Sequence, residues 1–185
     1  MEKWMEIPVN TAYRLINHGP LLWVSTCSSE GRYDIAPIAW SCPCEMKPTR
    51  VLLVMDMEHQ TYHNIMETKA FITCVPHSSQ ADLVRKTGAV SGKKCDKFVV
   101  YSMECFEGEK IKAKIPLGCI GYLECQFLET IERVGTGLVI GECVRACVLR
   151  DAFNERFLTE KKQGKTLHHL GKSIFAMPSD TILDQ

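Results

Sequence analysis

The chain has 185 residues, 45% of them hydrophobic and 24% charged, and 22 Lys+Arg balance 22 Asp+Glu for a formal net charge of zero. This composition suits one core-burying domain over 1–185, and the even balance offers no electrostatic footprint for nucleic acid or an anionic membrane and does little to keep copies apart. No stretch approaches the roughly 18 consecutive apolar residues of a membrane-spanning helix, and Met1–Pro8 lacks an apolar signal core, so a cytoplasmic protein is expected.

In chain order, Thr11 opens a short helix over 11–18 that runs into Gly19-Pro20. Leu21–Thr26 reads as a buried strand, Ser28-Ser29-Glu30-Gly31 as a turn, and Tyr33–Ile38 as the returning strand of a hairpin. Pro43 and Pro48 punctuate a loop before a third strand at Val51–Met57. Thr61–Thr68 is a helix with Thr61 as its cap, and Ala70–Val75 is a fourth strand stopped by Pro76. Ser79–Lys86 reads as a helix that Gly88 and Gly92 break, while Asp96–Tyr101 has no clear period. Pro116–Glu129 and Leu138–Leu149 are the longest strand segments, parted by Arg133-Val134-Gly135-Thr136-Gly137. Asp151–Leu158 is a short helix or turn, and 159–185 is a polar extension that takes up Leu167–Leu170 and Ile174–Met177. Several strands with few, short helices predict a mainly β, antiparallel barrel or sandwich. Neither a G-x-G-x-x-G after the first strand nor a G-x-x-x-x-G-K-[ST] is present, which removes the usual entry to a Rossmann or P-loop reading.

Two blocks carry chemistry. Asp34-Ile35-Ala36-Pro37-Ile38-Ala39-Trp40 is a strand ending in a Pro-containing, small-residue segment against which a flat ligand could lie. At the second block, a helix starting on Thr61 leaves the amides of Tyr62, His63 and Asn64 without intrahelical acceptors, with the helix dipole and the Thr61 hydroxyl adding to an anion site. A flat ring joined to a phosphate describes FMN; a plain N-cap is the alternative for Thr61. His59 and His63 stand i, i+4, but the central Glu of H-E-x-x-H is missing. Cys42-Pro43-Cys44 and Cys143…Cys147 lack the paired C-x2-C of structural zinc. A cysteine-rich metal or redox sensor using Cys42, Cys44, His59 and His63 is therefore the rival from another class. The ten cysteines sit mostly in apolar runs, where free thiols behave as small hydrophobes in a reducing compartment. Ser91–Phe98 is a basic loop whose lysines could meet a phosphate, and His168-His169 beside a Gly could face a redox ring.

Six short segments occur in an order that resembles the flavin reductase-like, FMN-binding split-barrel family, and its flavoredoxin branch in particular. They are Leu22–Thr26, Asp34–Trp40, Thr61–Phe71, Ser91–Phe98, Leu123-Glu124-Cys125 and Ile140-Gly141-Glu142-Cys143-Val144. The resemblance covers roughly residues 8–150. It implies a six-stranded antiparallel split β-barrel of Greek-key type, and a homodimer with FMN at its interface. By that resemblance the backbone of Ala36, Pro37, Ile38, Ala39, Trp40 and Ser41 lies along the isoalloxazine. Met55, Asp56, His59, Gln60, Thr61, Tyr62, His63 and Asn64 surround the ribityl phosphate. Lys93 and Lys97 are further contacts, and His168 is the one candidate catalytic side chain, since the flavin carries the chemistry. The expected function is that of an NAD(P)H:flavin oxidoreductase or a flavoredoxin-like electron carrier, with NADH or NADPH as donor and a small molecule or redox protein as partner. A non-enzymatic FMN-binding protein on the same fold is the alternative. The chain departs from the family pattern at Asp34, where Asn is usual, at Lys47-Pro48-Thr49 and at Cys74.

Overall fold

The computed structural model describes Pro8, Leu15 and residues 19–178, so the helix expected over 11–18 lies outside the described residues except for Leu15. The chain runs through β1 (Leu22–Cys27), β2 (Tyr33–Ile38), β3 (Ser41–Met46) and β4 (Thr49–Asp56) into helix α1 (Gln60–Thr68). It continues with β5 (Ala70–Val75), α2 (Ala81–Ala89), the single turn α3 (Lys97–Val100), and the short strands β6 (Cys105–Glu107) and β7 (Lys114–Pro116). The long hairpin β8 (Gly121–Arg133) and β9 (Thr136–Val148) follows, and then two small hairpins, β10 (Phe153–Asn154) with β11 (Arg156–Phe157) and β12 (His168–Gly171) with β13 (Ile174–Ala176).

Seven strands form one antiparallel sheet in the order β2-β1-β5-β8-β9-β4-β3. The sheet is rolled so that its two ends share one interior. Ala36 and Ile38 of β2 sit in the same buried cluster as Val51, Leu53 and Met55 of β4, with Val24, Phe71, Cys125 and Val139 completing it. Six strands therefore line the barrel. The seventh, β3, contributes nothing to that cluster and is exposed along most of its length. Alternation along β4 shows the period-2 logic plainly: Val51, Leu53 and Met55 point inward while their neighbours do not. Tyr62 and Ile65 of α1 plug one end of the barrel.

β3 replaces the loop expected around Pro43 and Pro48. Pro43 cannot donate to a ladder, yet an edge strand tolerates it, and the register shifts between Pro43 and Glu45 where β3 pairs with β4. The outer faces of β1, β2 and β5 are covered by a second cluster that joins Trp23, Ile35 and Ile72 to Val84 of α2, Phe98 of α3, Ile115 of β7 and Leu167. Strands buried on both faces explain why Leu21–Thr26 reads as a continuous apolar run rather than an alternating one.

Helix α2 runs through Gly88, the residue expected to break it, because Gly88 is a contact point: a Cβ there would stand 2.9 Å from Pro37 Cγ. The helix is pinned from below by Trp23, whose Nε1–H donates to Thr87 Oγ1 at 3.0 Å. Asp96 caps α3 by accepting from the Phe98 and Val99 amides at 2.8 and 3.3 Å. The tail folds back on the barrel, with the Leu21 N–H donating to the Leu167 carbonyl at 2.9 Å and Pro20 bridged to His168.

The motif residue Glu124 of β8 is fully buried and acts as a staple. Its carboxylate accepts from three successive amides, Glu109 at 3.2, Lys110 at 2.6 and Ile111 at 2.7 Å, and faces Arg145 Nη1 at 3.3 Å. It thereby holds the β6–β7 loop against the barrel. No described helix is long and apolar enough to cross a membrane.

Candidate flavin site

The turn from β4 into α1 is built by Asp56. Its carboxylate accepts from the Glu58 amide at 2.8 Å, and its carbonyl accepts from His59 at 3.1 Å. His59 is extended and serves as N-cap without a side-chain cap bond, so the helix starts one residue before Thr61. The expectation of Thr61 as the cap is corrected accordingly. The amides without intrahelical acceptors belong to Gln60, Thr61 and Tyr62, while the His63 N–H donates to the His59 carbonyl at 3.2 Å.

The Thr61 side chain is turned sideways: its buried hydroxyl donates to Asp34 Oδ2 at 2.7 Å. A hydroxyl has one proton, so this bond commits it. Neighbouring side chains anchor the helix. Gln60 Nε2 donates to Asn64 Oδ1 at 2.8 Å, Asn64 Nδ2 to Thr26 Oγ1 at 3.0 Å, and the Tyr62 hydroxyl to Glu132 at 2.9 Å.

A cavity of about 200 Å³ opens in front of this helix start. Asp34, Ala36 and Pro37 of β2 form one wall, His59, Gln60 and Thr61 another, and the segment from Thr87 to Gly92 with Lys97 the third. Gly92 is required by close approach, because a Cβ there would overlap the Asp34 carboxylate. Asp34 and Lys97 are an ion pair withdrawn from solvent, with side chains 2% and 4% exposed. The Lys97 ammonium lies 3.2 Å from Asp34 Oδ1 and donates to the Ile35 carbonyl at 2.7 Å. The contact with Oδ1 is ionic but lacks hydrogen-bond alignment.

A second cavity, of about 270 Å³, shares Pro37, Gly88 and Ala89 with the first. It continues past Ala39 to Leu21, Arg85 of α2, and His169, Lys172 and Phe175 of the tail hairpin. The two adjoin through these shared residues and are together called the trough: the Pro37–Ala39 segment lies between a helix start on one side and a basic rim on the other.

The sequence-derived residues divide in the structure. Ala36, Pro37, His59, Gln60, Thr61 and Lys97 line the first cavity, and Ala39 lines the second. Ile38 and Met55 point into the barrel core, as does most of Tyr62. Trp40 is 47% exposed beside Ser41, the first residue of β3. His63 is exposed, its ring edge-on to Tyr62, and Asn64 is buried beneath the helix. Lys93 lies at the rim, paired with Glu58 at 3.2 Å. His168 sits on β12 against Pro20, and its neighbour His169 is the one that lines the trough; adjacent strand residues face opposite sides. Gly88, Arg85 and Lys172 are trough residues that the sequence does not point to, and no local pattern marks the latter two; Asp34 opens the expected ring wall but lines the helix-start cavity instead.

Cys42 and Cys44 are exposed on β3, and among the described residues no group of three or more His, Cys, Asp and Glu is placed to hold a metal ion. Burial pushes the thiols of Cys74 and Cys125 well above the ordinary range, which keeps them protonated packing groups.

A sequence profile described as "Flavin reductase like domain" matches residues 14–168. The uncharacterized protein YddH of Escherichia coli (strain K12) is 30% identical over 181 residues, which cover 95% of each chain. Among solved structures, an FMN-binding protein from Thermus thermophilus with bound 1-cyclohex-2-enone superposes with a TM-score of 0.85 at 19% identity, over 100% of both chains. The flavoredoxin of Desulfovibrio vulgaris (Miyazaki F) gives 0.83 at 21% identity, covering 100% of this chain and 97% of its own. Those two likenesses confirm the split-barrel fold, and the profile, spanning most of the chain, shows that this protein belongs to the flavin reductase like domain family.

Proposed function

We propose that this chain is an FMN-dependent oxidoreductase in which the trough holds the flavin. The observation that carries the reading is that the two cavities adjoin through Pro37, Gly88 and Ala89, which sets a helix start beside a small-residue wall. A phosphate fits the first cavity because the Gln60, Thr61 and Tyr62 amides and the α1 dipole meet it there. A flat ring would lie along the Pro37–Ala39 backbone, beside the point where Gly88 packs against Pro37. When bound, FMN supplies hydride and electron transfer, and the side chains serve to bind, orient and exclude water. His169 and Lys172 stand where the tail would shield a ring from solvent.

The donor we propose is NADH, NADPH or a reduced partner protein, and the assembly a homodimer in the cytoplasm with FMN at its interface. Exposed Trp40 and Met46, on and beside the β3 arm, support a second copy covering that edge. The test begins with the visible spectrum of the purified protein and an FMN titration. Stoichiometric FMN uptake with bleaching by NADH or NADPH under anaerobic conditions supports the reductase. Uptake without bleaching by either indicates a carrier or storage protein, and no uptake overturns the reading. Light scattering decides the dimer.

A further inference from the structure

The charges at the phosphate end of the trough oppose one another. The helix start and the Lys97 ammonium favour an anion, yet a carboxylate, Asp34, is buried in the same wall. Asp34 touches both anion-attracting side groups at once. Its Oδ2 accepts a hydrogen bond from the Thr61 hydroxyl at 2.7 Å, and its Oδ1 faces the Lys97 ammonium at 3.2 Å. Of the three Lys97 donors, one goes to the Ile35 carbonyl and one side is turned to Asp34. Gly92 seats the loop directly on the carboxylate, so Asp34 cannot swing away. Asp34 Oδ1 is buried without an aligned hydrogen bond, and its charge is met by the Lys97 ammonium.

We infer that Asp34 sets the hold on the flavin phosphate, keeping it weaker than the helix start and Lys97 would give alone, so that FMN exchanges instead of staying locked in place. The inference rests on the proposed function, which puts the phosphate in this cavity. Asp34 is a positioning and specificity-determining residue here. It acts through Lys97 and Thr61 and through its own charge, and it discriminates against phosphorylated flavin relative to riboflavin, which has no phosphate.

The signs follow from charge. Asp34→Asn removes the negative charge and leaves Lys97 free to face an anion. Lys97→Met removes the positive charge and leaves Asp34 alone. The double variant removes both and returns the wall to neutrality.

The experiment titrates flavin-free, full-length wild type and the three variants with FMN and with riboflavin, followed by quenching of flavin fluorescence. The expected order of preference for FMN over riboflavin is Asp34→Asn above wild type, wild type close to the double variant, and Lys97→Met lowest. Each single step is roughly tenfold, as expected for one unit charge facing another across a partly screened wall. A purely structural role would move FMN and riboflavin together, and that result, or the reverse order, overturns the inference. If Asp34→Asn does not fold, Lys97→Met and the double variant still test it, because the second substitution must restore the preference the first removes. The underlying reading fails separately: wild type that binds FMN and riboflavin equally, with no competition from inorganic phosphate, puts the phosphate elsewhere.

Discussion

Truncation of Glu124 to Ala tests the claim that one buried carboxylate fastens the β6–β7 loop to the barrel. The side chain is fully buried and receives three backbone N–H groups at 3.2, 2.6 and 2.7 Å, besides Arg145 at 3.3 Å. Hydrogen bonds to a charged group contribute about 1.5–3 kcal/mol each, so three give more than about 4 kcal/mol. Two effects reduce the loss: the freed Glu109 and Lys110 amides can reach water, and Arg145 keeps Glu109 as a partner at 2.8 Å. The expected net cost for Glu124→Ala is about 3–5 kcal/mol, the usual penalty for breaking a buried, hydrogen-bonded charge. That is a large part of a domain's total stability of about 5–15 kcal/mol. Glu124→Gln keeps the shape but aims an amide donor at donors, and should cost about 2 kcal/mol. Urea unfolding monitored by tryptophan fluorescence measures both, and hydrogen exchange at Lys110 and Ile111 reads the loop directly. Glu124→Ala within about 1 kcal/mol of wild type, with protection at Ile111 unchanged, refutes the staple.

Thr61→Val swaps the buried hydroxyl for a methyl and strips Asp34 Oδ2 of its donor; an expected loss of about 2 kcal/mol is checked by chemical denaturation. Gly141→Ala on β9 drives a methyl against the Phe71 ring, whose Cε1 would lie 2.6 Å from the new Cβ. The cost is expected at about 1–3 kcal/mol and to be relieved by adding Phe71→Leu, so thermal melts of the double variant no better than the single would count against the contact. Tyr33 donates to Glu107 at 2.7 Å, and that bond to a carboxylate raises its hydroxyl from 10.0 to about 12. Because the folded value lies above the unfolded one, the contribution is complete below pH 10 and fades between 10 and 12. The stability gap between wild type and Tyr33→Phe should close over that window, and a gap that is constant across it contradicts the assignment.

Much of the barrel could be read from local pattern. β1, β2, β4 and β5 fall within two residues of their expected limits, since alternation or an apolar run between turn residues needs no distant partner to be recognised. The long β8–β9 hairpin was equally visible, though its first strand begins at Gly121 rather than Pro116. β6 and β7 escape a sequence reading because three-residue strands carry too little periodicity, and β3 because Pro43 within it and Pro48 just after it imitate a loop. Gly88 stayed inside a helix through a contact with Pro37 that no single-segment reading contains.

The candidate site divides along the same line. The residue types, the order of the motifs and the helix near position 60 are written in the chain itself, because each depends on neighbours a few positions away. Which atoms meet was decided by the tertiary structure alone. Folding brought Lys97 to Asp34, turned the Thr61 hydroxyl from a cap into Asp34's donor, and set His169 rather than His168 beside the trough. The physical reason is that buried charges and hydroxyls must find partners wherever the packed core leaves them. A linear sequence shows which groups need partners, and only the closed barrel shows who they are.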